Sequence, residues 1–366
     1  MPRTLRVPRR RRRTRQIQLG SVAVGGGAPV TVQSMTKTDP LDRDATIAQI
    51  LDLQACGCDI VRVAVPSAAA IGPLRRVCER VDIPVVADIH FDHRLALAAL
   101  RAGVDGLRIN PGNIGGVRKL RELVAAARDR AVPIRVGVNS GSVEPALLRR
   151  HGGPTPEALV ESALGSVAAI ERAGYDRIKI SVKASDVPRT VQAYRLLARR
   201  THYPLHLGVT ESGTAVAGTV RSSVAVGMLL AEGIGDTLRI SLTEGPALEV
   251  KVGLEILRCL GLRPPGPNVI SCPTCGRVGI DVVGLAHAVE AALERHYLAD
   301  PDAPRPLVAV MGCMVNGPGE AREADVAVAG GKGKAALYVR GRRVATVAES
   351  EIVDAVLAQV RDWQAE

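Results

Sequence analysis

The stretch DRIKISVK, residues 176–183, keeps Ile178, Ile180 and Val182 on one face of an extended chain and sets Lys179 and Lys183 on the other. Seven further β-rich runs share the same character. They read PVTVQSM (29–35), DIVRVAV (59–65), IPVVADI (83–89), DGLRIN (105–110), VPIRVGVN (132–139), YPLHLGVT (203–210) and DTLRISL (236–242). Each is nearly continuous in apolar character on at least one face, as strands of a helix-covered parallel sheet are. The segments between them, such as DATIAQILDLQACG (44–57) and TPEALVESALGSVAAIERAG (155–174), have helical periodicity and end in glycine, as a C-cap does. Eight β–α units over the first 262 residues predict a (β/α)8 TIM barrel, with an open α/β sheet as the alternative.

At 366 residues the chain exceeds what one hydrophobic core usually supports, so a second domain is expected. The stretch GLRPPGPN (261–268) marks the boundary. The expected division is an arginine-rich tail over 1–15, a barrel domain over 16–262 and a small α/β domain over 263–366. Aromatic residues make up only 2%, so the core must be aliphatic. Eight arginines crowd the tail, and without them the net charge of +11 falls to +3. The body is therefore nearly balanced. The tail reads as a solvated terminus, with nucleic-acid contact as the lesser reading. The following stretch QIQLGSVAVGGG (16–27) is too interrupted for an export signal, and the longest apolar run, VAVGMLLA (224–231), is far too short to cross a bilayer. Seven cysteines, an odd number, argue for reduced thiols and a cytoplasmic setting.

Barrels carry their chemistry at the carboxyl ends of the strands, and polar residues collect there. The first run ends in Gln33, Ser34 and Thr36, and the second carries Arg62. The third ends in Asp88 and His90, the fourth in Arg108, Asn110 and Asn113. The fifth offers Arg135 and Asn139, and the sixth Lys179 and Lys183. The seventh finishes with His206, Thr210 and Glu211, and the last with Arg239, Ser241 and Thr243. Lysine is scarce, seven against forty-one arginines, so two on one strand are informative. A charge inside an apolar strand is costly unless it is paired or faces a ligand. For any single arginine a salt bridge at the rim suffices. For Arg62, Arg108, Arg135, Arg239 and Lys183 on one rim, the pattern points to an anionic, phosphorylated ligand. Asp88, His90 and Glu211 are the acid–base candidates, and each could equally serve to orient a neighbour.

Cysteines divide into two groups. Cys56, Cys58, Cys78 and Cys259 lie in apolar, helix-like or helix-flanking segments and read as small buried hydrophobes. Cys272 and Cys275 in SCPTCGR (271–277), with Cys313 in GCMVNGPGE (312–320), lie in loops rich in proline and glycine. Such spacing suits a structural zinc with His287 or His296, a dithiol redox pair, or an iron–sulfur cluster; the cluster employs all three thiols without a distant histidine.

Ordered motifs along most of the chain resemble the 4-hydroxy-3-methylbut-2-enyl diphosphate synthase family. They are RRRTRQIQLGSVAVGGGAPVTVQSMTKTDPLD (11–42), VADIHFD (86–92), LRINPGNIG (107–115), GVNSGS (137–142), ISVKASDV (180–187), LHLGVTE (205–211), ISCPTCGR (270–277) and VMGCMVNGPGE (310–320). The resemblance implies the two-domain bacterial arrangement and a [4Fe–4S] cluster on Cys272, Cys275 and Cys313, with Glu320 as a weaker fourth ligand. It implies reductive opening of 2-C-methyl-D-erythritol 2,4-cyclodiphosphate, a late step of the methylerythritol phosphate route to isoprenoid precursors. Arg62, Arg108, Arg135, Lys183 and Arg239 would hold the cyclic diphosphate, with Asn139 and Ser241 as neutral donors. Glu211 would be the proton donor, with Asp88 and His90 as secondary candidates. A flavodoxin or ferredoxin would bring electrons, and a head-to-tail homodimer would place each cluster domain over its partner's barrel. GGKGK (330–334) and RGRR (340–343) are candidate docking elements, or ordinary solvated faces.

Overall fold

The computed structural model describes residues 10–110, 114–315 and 317–363. Two compact units meet between Arg263 and Pro264. The Pro264–Pro265 pair that follows fixes two successive φ angles and removes two N–H donors, which no helix or sheet interior tolerates.

The first unit begins with an antiparallel hairpin, β1 (Ile17–Leu19) and β2 (Val22–Val24). Eight strands then form one parallel sheet: β3 (Thr31–Met35), β4 (Ile60–Ala64), β5 (Val85–Asp88), β6 (Gly106–Ile109), β7 (Ile134–Asn139), β8 (Ile178–Lys183), β9 (His206–Leu207) and β10 (Thr237–Leu238). Neighbours follow chain order from β3 to β8, while β10 pairs with both β3 and β9. A parallel bridge between Ile180 and Leu205 joins β8 to the approach of β9 and closes the barrel. All eight expected runs are barrel strands. The last two are shorter than expected, and β9 ends where Gly208 takes φ +153°.

Sequence periodicity explains the outer layer. The helix Val117–Asp129 buries Leu120, Leu123, Val124 and Ala127, the i, i+3, i+4, i+7 face that an amphipathic helix turns inward. Asp186 caps the helix Val187–Arg200 by accepting from Arg189 N–H at 2.8 Å, and Gly103 ends His93–Ala102 in the left-handed conformation. Under the barrel floor, Ile17, Leu19 and Val24 of the hairpin pack on Ile60 and Val86. That plug closes the amino-terminal end and leaves the carboxyl ends for chemistry.

The solvated tail expected over 1–15 is not what residues 11–15 form. Arg11 pairs with buried Asp236 at 3.3 Å, and Arg12 donates to the carbonyl oxygens of Ala198 at 3.3 Å and Tyr203 at 2.7 Å and to that of Thr201. Thr14 Oγ1 donates to Asp236 at 2.9 Å. A buried carboxylate and the unpaired carbonyls at a helix end both need donors, and this segment supplies them. Arg3, Arg6 and Arg9 lie outside the described residues.

The second unit holds a five-stranded sheet in the order β11 (Val269–Ser271), β12 (Val308–Met311), β13 (Val326–Gly331), β14 (Lys334–Val339) and β15 (Arg342–Ala348). The first three are parallel and the last two antiparallel. Alternation sorts the two faces: Val308, Val310, Val326 and Val328 meet the helices Val282–Ala299 and Ile352–Arg361, while Ala309, Met311 and Ala327 meet the helix Gly317–Glu323. GGKGK and RGRR are the β13–β14 and β14–β15 turns, where Lys332, Gly333, Arg340 and Gly341 take positive φ. Turn geometry accounts for Gly333 and Gly341, whereas Gly330 lies on β13, where a Cβ would stand 2.4 Å from the Ile280 side chain.

Candidate functional site

Most small barrels fill their interior with branched aliphatics; this one fills the layers above its plug with charge. Across four adjacent strands the paired positions read Asp88, Arg108, Arg135 and Lys179. Arg108, Arg135, Lys179 and Lys183 are all buried, as are Gln33 and His206. Arg62 and Arg239 complete six basic side chains, against which stand two carboxylates, Asp88 and Glu249.

Both carboxylates are already committed. Asp88 lies 3.2 Å from Arg108, 3.8 Å from Arg62 and 3.4 Å from His90. Burial by itself would raise its pKa, yet Arg62, His90, Arg108 and Arg135 hold it well below the usual carboxylate range. Glu249 lies 3.3 Å from Arg239 and 3.0 Å from Lys37, and accepts from the backbone N–H of Leu242 at 2.9 Å. Among the described residues, Arg108 Nε, Arg135 Nε and Nη1, Lys179 Nζ, His206 Nε2 and Arg239 Nε have no hydrogen-bond partner. Burial, then the neighbouring guanidinium groups, push Lys183, Lys179, Arg135 and His206 well below their ordinary values. A native interior rarely leaves so many donors unmet without a ligand to meet them.

Glycines make the room. A Cβ at Gly137 would stand 3.1 Å from Arg108 Nε and 3.2 Å from Ser181 Oγ, and one at Gly208 would stand 2.6 Å from Lys183 Nζ. Arg108 and Lys183 thus cross bare backbone on their way to the mouth.

The remaining predicted residues stand at the carboxyl rim. Asn139 ends β7 in register with Lys183, and its N–H donates to Ser142 Oγ at 2.9 Å. Ser241 is half-buried beyond β10. His90 is half-exposed, with a ring nitrogen 2.8 Å from Arg108. Glu211 is exposed and takes φ +51°, a strained value for a residue with a Cβ. Its loop is tied to the one after β8 by Thr210 N–H donating to Ala184 at 3.1 Å. A depression of about 480 Å³ opens beside Asp88 and His90, walled by Met35, Ala64 and the exposed Phe91. Asn113 lies outside the described residues. Glu249 and Lys37 were not found by sequence reasoning; Glu249 occupies an ordinary first-turn position of the helix Pro246–Cys259 and Lys37 follows β3 in a loop.

In the second unit, Cys272 follows β11 and Cys313 follows β12, its parallel neighbour. Cys272 N–H donates to Val310 at 3.1 Å, and Gly279 N–H to Gly312 at 2.9 Å, so the two cysteine loops are stitched together. Thr274, between Cys272 and Cys275, holds φ +65°. Glu320 is exposed in the first turn of Gly317–Glu323, the helix that follows Cys313. Among the described residues no three His, Cys, Asp or Glu side chains are grouped to hold one metal ion. His287 is exposed and pairs with Glu290 at 4.0 Å on its own helix. A single zinc needs all its ligands within ~2.0–2.3 Å of one point. A [4Fe–4S] cluster instead spreads its thiolates over several irons, and three cysteines on two adjoining loops, with a carboxylate on the helix that follows Cys313, suit that donor set. Of the other cysteines, Cys58 is buried and its thiol is pushed up to about 12 by burial, but Cys259 is exposed, contrary to expectation. It sits in the last turn of its helix, on the solvent side.

Fold and site together define a (β/α)8-barrel enzyme for a polyanionic substrate, joined to a small α/β domain that bears three loop cysteines. The chain belongs to the GcpE family: the GcpE TIM-barrel domain matches residues 14–254 and the GcpE protein C-terminal domain matches residues 268–362. A Geobacter sulfurreducens protein named 4-hydroxy-3-methylbut-2-en-1-yl diphosphate synthase (flavodoxin) is 57% identical over 357 residues, 97% of this chain and 99% of its own. One of the same name from Thermodesulfovibrio yellowstonii is 51% identical over 352 residues, 96% of this chain and 99% of its own. Among solved structures, a dihydropteroate synthase from Xanthomonas albilineans matches 66% of this chain and 96% of its own, at 17% identity and a TM-score of 0.47.

Proposed function

We propose that this chain forms 4-hydroxy-3-methylbut-2-enyl diphosphate by two-electron reductive opening of 2-C-methyl-D-erythritol 2,4-cyclodiphosphate. The observation that carries the reading is the barrel interior: six basic side chains face two carboxylates already engaged, and several of their nitrogens are left unmet. A cyclic diphosphate is compact, multiply charged and rich in acceptor oxygens, and so it complements that surplus. Family membership supplies the reaction.

Arg62, Arg108, Arg135, Lys183 and Arg239 bind the phosphates, and Asn139 and Ser241 donate neutral hydrogen bonds. Preformed donors need no reorganisation when the anion arrives, and burial strengthens each contact. Asp88 fixes Arg108 and His90, and Glu249 fixes Arg239. The reaction breaks a C–O bond to phosphate and releases a hydroxyl as water. Glu211 holds the proton for that hydroxyl at its carboxyl group, and its strained backbone supports a positional role.

Cys272, Cys275, Cys313 and Glu320 would hold a [4Fe–4S] cluster, which when bound would supply the electrons that no side chain can. A flavodoxin or ferredoxin delivers them, in the cytoplasm, where thiols stay reduced. The working unit is a head-to-tail homodimer. An exposed stripe of Val216, Val220, Val224 and Met228 at four-residue spacing on the helix Ala215–Ala231 supports a second copy.

Anaerobic reconstitution tests the cofactor. Protein treated with iron and sulfide should bind about four of each per chain and absorb broadly in the visible. A colourless, iron-free chain after reconstitution would remove the electron source and with it this function.

A further inference from the structure

Lys179 is a buried amine that the proposed chemistry does not use. It lies on β8 four residues before Lys183, two inward positions deeper in the barrel, and is 1% exposed. Its register neighbour on β7 is Arg135, another cation, and Arg62 is the other guanidinium that acts on it. His206 is wholly buried nearby, with Nε2 unpartnered and Nδ1 3.4 Å from Thr237 Oγ1. Asp88 and Glu249, the interior carboxylates, are held by Arg108, Arg62, Arg239 and Lys37. Among the described residues Nζ of Lys179 has no hydrogen-bond partner.

A structural lysine would be paired with a carboxylate, and a ligand-binding lysine would reach the rim as Lys183 does. Water could satisfy the hydrogen bonds of Lys179 but not a full charge beside Arg135. We propose that Lys179 is a proton-loading group: neutral in the empty barrel, it takes up a proton when the substrate's phosphates enter above it, so that binding and protonation are coupled. This rests on the diphosphate reading of the barrel.

Electrostatics gives the size of the effect. One negative charge ~8 Å away, in a medium of effective dielectric ~20, favours the protonated amine by about thirtyfold, and a diphosphate brings at least two charges. The added proton then offsets part of the desolvation cost of the phosphates. Burial and the neighbouring Arg135 and Arg62 already push Lys179 well below the ordinary lysine value, which leaves it free to respond.

Calorimetric titration with inorganic pyrophosphate, repeated in two buffers of different ionisation enthalpy, reads proton uptake directly. The wild-type chain should take up about one more proton per site than Lys179→Met, at mildly alkaline pH. Equal uptake in both proteins, with binding retained, would overturn the proposal. Should Lys179→Met fail to fold, NMR of lysine Cε in the wild-type chain decides. With seven lysines in the chain, one buried signal should move from the neutral-amine to the ammonium position on adding pyrophosphate and survive in Lys183→Met. A signal that stays put while pyrophosphate binds would overturn the proposal alone. Absence of pyrophosphate binding at any buffer or pH would overturn it together with the substrate reading.

Discussion

Lys183 lies across the bare backbone of Gly208: a Cβ there would stand 2.6 Å from Lys183 Nζ and 2.5 Å from the carbonyl oxygen of Arg239. The lysine can move, but the carbonyl belongs to the neighbouring chain segment and cannot. Gly208→Ala should therefore cost about 1–3 kcal/mol of stability by overpacking, measured by urea unfolding. With Lys183 in the proposed phosphate-binding role, the substitution should also raise KM more than it lowers kcat. An alanine variant with unchanged stability and KM would show that Lys183 takes another path.

Asp88 predicts a pH dependence. Its folded-state pKa is depressed, so its contribution is fully present above the unfolded value near ~4 and is lost as pH falls below it. The stability difference between wild type and Asp88→Asn should be constant from pH 7 to about pH 5 and shrink below pH ~4. Chemical unfolding at a series of pH values measures this. A gap that widens on acidification would reverse the assigned sign.

The arginine-rich start divides functionally within itself. Asp236 is 2% exposed and takes donors from Arg11, Thr14 and the N–H of Leu205, the last at 2.9 Å. Removing residues 1–9 should leave melting temperature and activity unchanged. Removing 1–15 should cost about 3–5 kcal/mol, the usual penalty for stripping one partner from a buried ion pair. Activity lost on the shorter deletion, with stability intact, would favour a nucleic-acid or other anionic partner for the tail.

The barrel was legible because its signal repeats: eight apolar runs and capped helices needed no tertiary information. The cationic rim was legible too, since charges inside apolar strands have few explanations. Glu249 and Lys37 were not, because a glutamate in a helix's first turn and a lysine in a loop are ordinary until Arg239 is seen beside them. Nor could sequence show that Arg11 and Arg12 bind the barrel, as their partners stand some two hundred residues away in the chain. The three loop cysteines stood out in sequence as candidate ligands, but the choice among metals rested on chemistry and resemblance.

The proposed head-to-tail homodimer, in which each site would draw on two copies, makes a complementation prediction. Glu211→Gln and Cys313→Ser should each be inactive alone. Mixed in equal amounts and allowed to exchange, they should recover about a quarter of wild-type activity, since half the dimers are mixed and each has one intact site. No recovery in proven heterodimers would place each site within one chain.

Turnover is the decisive test of the reductive ring opening. Anaerobically reconstituted protein, reduced flavodoxin and 2-C-methyl-D-erythritol 2,4-cyclodiphosphate should give 4-hydroxy-3-methylbut-2-enyl diphosphate, identified by mass spectrometry. Production should fall to background in Cys313→Ser at unchanged secondary structure. A wild-type chain carrying its full iron and sulfide that leaves the cyclic diphosphate unopened would contradict the account.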